Sequence, residues 1–174
     1  MIVFRGLAFH VGAAGPESPI KIRTRPTVFF LAPGCLVTVR PPDSRLVPAL
    51  RERLLRVAAS RQRLPTSPED LMLRLLNAMV DRYLDLRLPL TEQLERWQRQ
   101  LLDPRRAFRD WLMLLDARAE LRKLEQLCEE QLDALQEWQD ERLEQDHPTA
   151  EPFGPLPDAL KVRASDLVNH IHRV

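Results

Sequence analysis

Four acidic residues, Glu129, Asp133, Glu137 and Glu141, recur at every fourth position, so on a helix they stack along one ridge. Carboxylates placed this way repel one another and attract hard cations, which take oxygen ligands. The bland reading is a solvated helix face; the functional reading is a weak cation-concentrating surface. The histidines make no zinc set. His10 falls at a strand end and His147 in a proline-rich stretch. His170 and His172, two apart on a helix, do not face the same way. The sequence contains no GxGxxG, Walker loop, HExxH or GxSxG, so nothing in it points to an enzyme. Cys35 and Cys128 lie in apolar surroundings with no CxxC, and are expected as small core residues.

The elements that would carry these residues follow from periodicity. The chain has 174 residues, 44% of them hydrophobic and 29% charged, with a net charge of +1. That charge is unevenly spread. Residues 1–67 carry eleven basic and three acidic side chains, whereas residues 103–147 carry seven and thirteen. A basic head and an acidic arm result. The head lacks stacking aromatics outside its core strands, which argues against nucleic acid as a partner. Residues 2–9 read as a strand, Gly12–Pro19 as a loop, and Ile20–Thr24 as a half-buried edge strand interrupted by Pro26. Val28–Leu31 and Cys35–Arg40, joined by Ala32-Pro33-Gly34, read as a hairpin, with Pro33 and Gly34 central in a type II turn. Ser44 is the expected cap of an arginine-rich helix whose inner face is Leu46, Leu50, Leu54 and Val57.

Ser67-Pro68-Glu69-Asp70 is a strong helix start: a capping serine, a proline at the first helical position and acids at the positive end of the dipole. Apolar residues then recur from Met72 through Leu76, Met79, Tyr83, Leu86, Leu90, Leu94 and Trp97 to Leu101, a seam of three- and four-residue steps that faces another helix. Pro89 should kink this helix. Asp103-Pro104 starts a second long helix, to about Gln145, with a seam of Leu114, Ala117, Leu121, Leu124, Cys128, Leu132, Leu135 and Trp138. So short a turn makes the pair antiparallel. The fold class is therefore α+β: an N-terminal mixed or antiparallel sheet with a helix (1–67), a long helical hairpin (68–146), a linker (147–155) and a last helix (156–174). No stretch approaches the roughly 18 apolar residues of a membrane helix, and the last helix ends without a glycine cap, as if it continued.

The order of motifs resembles one family. Leu36-Val37-Thr38-Val39 ends the hairpin, an arginine-rich helix follows, and Ser67-Pro68-Glu69-Asp70-Leu71 opens a helix carrying Leu75-Leu76-Asn77-Ala78-Met79-Val80-Asp81-Arg82-Tyr83. Then come Leu121-Arg122-Lys123-Leu124 and Asp166-Leu167-Val168-Asn169-His170. Over residues 20–174 this is similar to the cytosolic region of the CorA-like divalent metal ion transporters. The resemblance implies a funnel domain, a long hairpin, the start of a stalk helix, and a homopentamer at the cytoplasmic face of a membrane. Its membrane helices and Gly-Met-Asn pore loop would follow the stalk and are not in this sequence. It implies Mg2+, Co2+ or Zn2+ as transported or regulatory ion, and a regulatory metal site between subunits. Asp166 matches that site's stalk carboxylate and His170 its nearby histidine. Asn77 stands where the family has a second carboxylate, and Glu17 is the nearest match to a third. The alternative reading is a stand-alone helical-hairpin oligomerisation module with no transport role.

Overall fold

A computed structural model describes residues 1–8, 20–59, 64–102, 111–144 and 156–174. The Gly12–Pro19 loop with Glu17, the 147–155 linker, His10 and His147 lie outside the described residues. Those residues form strands β1 (Ile2–Leu7), β2 (Thr24–Ala32) and β3 (Cys35–Val39), then helices α1 (Leu46–Ala59), α2 (Pro68–Leu101), α3 (Trp111–Glu144) and α4 (Asp158–Ile171). The fold is α+β, and the sheet is wholly antiparallel in the order β1-β2-β3.

The β2–β3 turn is as expected: Ala32 faces Cys35, and Gly34 takes φ 69°, the left-handed value that type II geometry asks of its third residue. Two expectations nearby are corrected. Pro26 does not break the chain but lies inside β2, opposite Arg5. Both backbone groups of Arg5 bond away from β2, its N–H to Gln131 and its C=O to Tyr83. The pair therefore exchanges no ladder bonds, and the missing proline N–H is not needed there. Residues 20–23 form no strand. Their backbone is held instead by helix side chains: Ile20 N–H donates to Gln93 at 3.1 Å and Ile22 N–H to Glu120 at 2.7 Å. Helix α1 begins at Leu46, and the carbonyl of Arg45, not Ser44, accepts the first helical bond, from Ala49.

Helix α2 starts as the sequence dictates. Ser67 caps it, accepting from Asp70 N–H at 3.2 Å, and Pro68 occupies the first turn. The helix runs on through Pro89. It is the centre of the molecule, packing against α1, α3, α4 and all three strands. One flank presents Met72, Leu76, Met79 and Tyr83 to the core and another adds Leu73 and Val80, all buried with Phe4 and Phe29 of the sheet and Leu167 of α4. Gly6 of β1 comes close to this helix: a Cβ there would lie 3.1 Å from the Met79 methyl.

Helix α3 returns antiparallel to α2. Glu69 near the start of α2 meets Arg142 near the end of α3. Further along, Tyr83 and Gln131 grip the same residue, Arg5, and Gln93 and Glu120 grip Ile20 and Ile22. Helix α4 runs parallel to α2, since Arg163 reaches Asp70, His170 reaches Asn77, and the Arg173 carbonyl accepts from Arg87.

Cys35 is exposed rather than in the core. It pairs with Ala32 and shares a sheet face with Phe30, Val37 and Val39, the face turned away from α2. Cys128 is half-buried, and desolvation, helped by the neighbouring Glu129 charge, pushes its thiol up to about 11. Because the thiolate is the reactive form, a thiol-exchange reagent near neutral pH should modify one cysteine promptly and the second at least tenfold more slowly. Cys35→Ser should remove the fast phase and Cys128→Ser the slow one.

Candidate functional site

Two helices position the most informative polar cluster. On α2, Asn77 and Asp81 are one turn apart and so share a face; α4 lays His170 against them. The Asn77 side-chain oxygen lies 2.9 Å from His170 Nδ1, its amide nitrogen donates to Asp81 Oδ2 at 3.4 Å, and His170 Nε2 is 3.5 Å from Asp81 Oδ1. With its amide nitrogen turned to Asp81, Asn77 presents an oxygen to His170 Nδ1, an acceptor that suits the tautomer with its hydrogen on Nδ1. In the neutral imidazole Nε2 then offers a lone pair toward the Asp81 carboxylate; in the imidazolium it donates to that carboxylate. Either a proton or a cation between Nε2 and Asp81 turns this contact favourable. A histidine whose other N–H is held by an amide oxygen is also the arrangement that orients metal-ligating imidazoles.

Of the residues singled out from sequence, the structure brings Asn77 and His170 together and leaves Asp166 exposed on α4. Asp81 was not singled out, although its position one turn after Asn77 was the available signal. Among the described residues no three histidine, cysteine or acidic side chains converge to hold a metal ion. Glu129, Asp133, Glu137 and Glu141 are all exposed on α3 and make no ion pair among the described residues. Glu129 borders a groove between α3 and the end of α4 floored by Leu124, Cys128 and Ile171.

Below this cluster lies a denser ionic knot that locks α2 to α4. Asp70, almost fully buried, accepts from Arg74 at 3.1 Å and 3.2 Å and from the Thr66 N–H at 3.2 Å, and Arg163 of α4 approaches to 2.6 Å. Burial alone would raise its pKa. The Arg74 and Thr66 hydrogen bonds and the charges of Arg163 and Arg74 outweigh that, and the carboxyl sits below its ordinary value. Two arginines of the basic head, Arg25 and Arg40, are spent on local structure. Arg25 Nη1 donates to both carboxylate oxygens of Asp43, at 2.8 and 3.0 Å, and Arg40 donates to the Ser44 carbonyl at 2.7 Å.

No helix among the described residues is long and apolar enough to cross a membrane. In a scan against family models, the one described as "CorA-like Mg2+ transporter protein" matches residues 2–174. A search of curated proteins found no match.

Proposed function

The chain belongs to the CorA-like Mg2+ transporter family, and from that premise we propose that it is the cytosolic regulatory portion of a divalent-cation transporter, with α4 as the beginning of its stalk. The observation that carries this reading is the parallel clamp between α2 and α4. Asp70–Arg163 fixes one level and Asn77–Asp81–His170 the next, so a change in the charge held at the second level is felt directly by α4. Transported Mg2+, Co2+ or Zn2+ is the substrate of such a system, and the same ions are its natural regulators.

The donor set fits a regulatory ion only in part. Asp81 Oδ1 and His170 Nε2 face each other with Asn77 behind them, and two ligands do not close a site. Asp166, exposed one turn before His170, is offered outward to a second copy of the chain, as is the carboxylate ridge of α3. We infer that a homo-oligomer completes the site. A nitrogen and a carboxylate oxygen suit Co2+ or Zn2+ better than Mg2+, which takes oxygen almost exclusively. The neutral Asn77 in place of an acid works in the same direction.

Light scattering on the purified chain during titration with Mg2+, Co2+ and Zn2+ tests the proposal. Assembly should shift with divalent ion, and His170→Ala should weaken the Co2+ response at least tenfold, a lost first-ligand effect of about 1.4 kcal/mol or more. A particle mass that ignores all three ions favours the alternative, an interaction module assembled through its exposed apolar surfaces.

A further inference from the structure

The sheet has an apolar outer face that no ion-sensing role uses. Side chains alternate along a strand, so where Phe4 and Phe29 enter the core, Val3, Val28, Phe30, Val37 and Val39 point the other way. The register places these five side by side. Val3 is opposite Val28, and Val28 opposite Val39, one row across all three strands; Phe30 is opposite Val37 in the row beside it. Ala32 and Cys35 extend the patch to the turn. Val3 is 41% exposed, Phe30 42%, Val37 49% and Val39 56%. Large apolar side chains that adjoin one another in water mark a contact site. None of these residues is charged, in a chain that is 29% charged, so a charged partner finds no counter-charge here and an apolar face does.

We propose that this face packs on the same face of a second copy of the chain, about a two-fold axis. Such a contact is isologous: one patch serves both partners and closes at two. Two sheets stack about 10 Å apart with the side chains of facing rows interdigitated. The valines are stiff at χ1 and lose little freedom when covered. The area supports a second copy as the occupant. The four most exposed side chains leave roughly 300 Å² of apolar surface in water on each copy. With Ala32, Cys35 and the exposed Pro26 at the margins, self-pairing removes on the order of 1,000 Å² in total, the least that a specific interface needs. An interface of that size gives a weak dimer, with a dissociation constant on the order of 10 µM. The face is turned away from α2, and so from Asn77, Asp81 and His170, and its pairing requires no divalent ion.

Sedimentation velocity over a concentration series tests it, in EDTA so that the divalent response plays no part. Monomer should give way to dimer at on the order of 10 µM chain. Val37→Lys, altered at a half-exposed site, should keep its circular dichroism and stay monomeric at ten times that concentration. Leu55→Lys on α1, at a site 63% exposed, should dimerise as the parent does. The parent itself supplies a second measurement that needs no variant to fold. Cys35 lies within the patch, so its reaction with a thiol-exchange reagent should slow as the dimer forms. At a chain concentration ten times the dissociation constant, mass action leaves about one fifth of the chains monomeric, and the rate should be about fivefold below its value at high dilution. A parent that stays monomeric throughout overturns the proposal. So does a dimer that survives Val37→Lys, a dimer lost in Leu55→Lys, or a Cys35 rate that ignores concentration. A monomer that co-sediments with vesicles of phosphatidylcholine and phosphatidylglycerol also overturns it, and assigns the face to lipid. A dimer in EDTA that responds to no divalent ion overturns the transport reading alone; a monomer in EDTA that assembles with Co2+ overturns this one alone.

Discussion

Replacing Asp70 by alanine is expected to lower the unfolding free energy by about 3 kcal/mol, the cost of removing one partner from a buried, hydrogen-bonded charge cluster. The carboxylate does three things at once. It accepts from the Thr66 N–H in the turn before α2, it pairs with Arg74 one turn along, and it holds Arg163 of α4 at 2.6 Å. Alanine leaves a backbone donor and two guanidinium groups without their acceptor. Arg163 is partly exposed, its side chain retaining 41% of its accessible surface, so water recovers part of its loss and the full range for buried pairs does not apply. The pH dependence has a defined sign. The carboxyl of Asp70 is held below its ordinary value of 3.8, so its contribution is fully present above that value and is lost as pH falls through the lowered one. Urea unfolding of the parent and of Asp70→Asn should therefore differ most near neutral pH and converge in acid. Parallel acid limbs would show that the carboxylate contributes nothing specific. Because Asp70 also ties α4 to α2, hydrogen exchange along α4 should speed up in the alanine variant more than exchange in β2.

The start of α2 and the β2–β3 hairpin were legible because each has a local cause. Serine before proline and two acids makes a cap wherever it occurs, and proline before glycine makes a turn. The inner face of α2 was legible from spacing between Met72 and Leu90 and again at Trp97, whereas Gln93, which accepts from the Ile20 N–H, is buried in place of Leu94, and Leu101 is exposed. The inner face of α3 was not legible. Its buried row is Ala117, Glu120, Leu124, Leu127, Gln131, Leu135, Trp138 and Arg142, which steps by three and four as regularly as any heptad seam. A reading that admits only apolar residues skips Glu120, Gln131 and Arg142 and slides sideways to Leu121, Cys128 and Leu132, the first of which is exposed and the others partly so. Each polar residue of the seam meets a partner distant in sequence: Gln131 serves the outward backbone of the edge strand β1, Glu120 accepts from the Ile22 N–H, and Arg142 faces Glu69 of α2. Tertiary hydrogen bonding of this kind leaves no local signature. The same holds for the cluster at Asn77: His170 was visible by resemblance and the i, i+4 spacing of Asn77 and Asp81 by helix geometry, but the meeting of His170 with Asp81 becomes visible only when α4 is laid on α2.

Gln131 puts that account to its sharpest test. By heptad logic a leucine at this seam position improves packing, so Gln131→Leu should be neutral or stabilising. The structure says the opposite. The side-chain oxygen of Gln131 accepts from the Arg5 N–H at 2.7 Å, and the Tyr83 hydroxyl donates to the Arg5 carbonyl. Together they satisfy the outward backbone of β1, the edge strand of the sheet. Leucine keeps the volume but abandons a donor among buried groups, and an orphaned donor costs about 1–3 kcal/mol. The expected loss is about 2 kcal/mol in urea unfolding. Faster hydrogen exchange at the Arg5 amide, with little change at Val28 in β2, would locate the loss at this edge. Tyr83→Phe should cost about 1 kcal/mol alone and, paired with Gln131→Leu, less than the sum, because both act through one residue. Strict additivity would mean that the two helices hold β1 independently; a stabilised leucine variant would mean that α3 packs as an ordinary coiled-coil partner and that the strand needs no clamp.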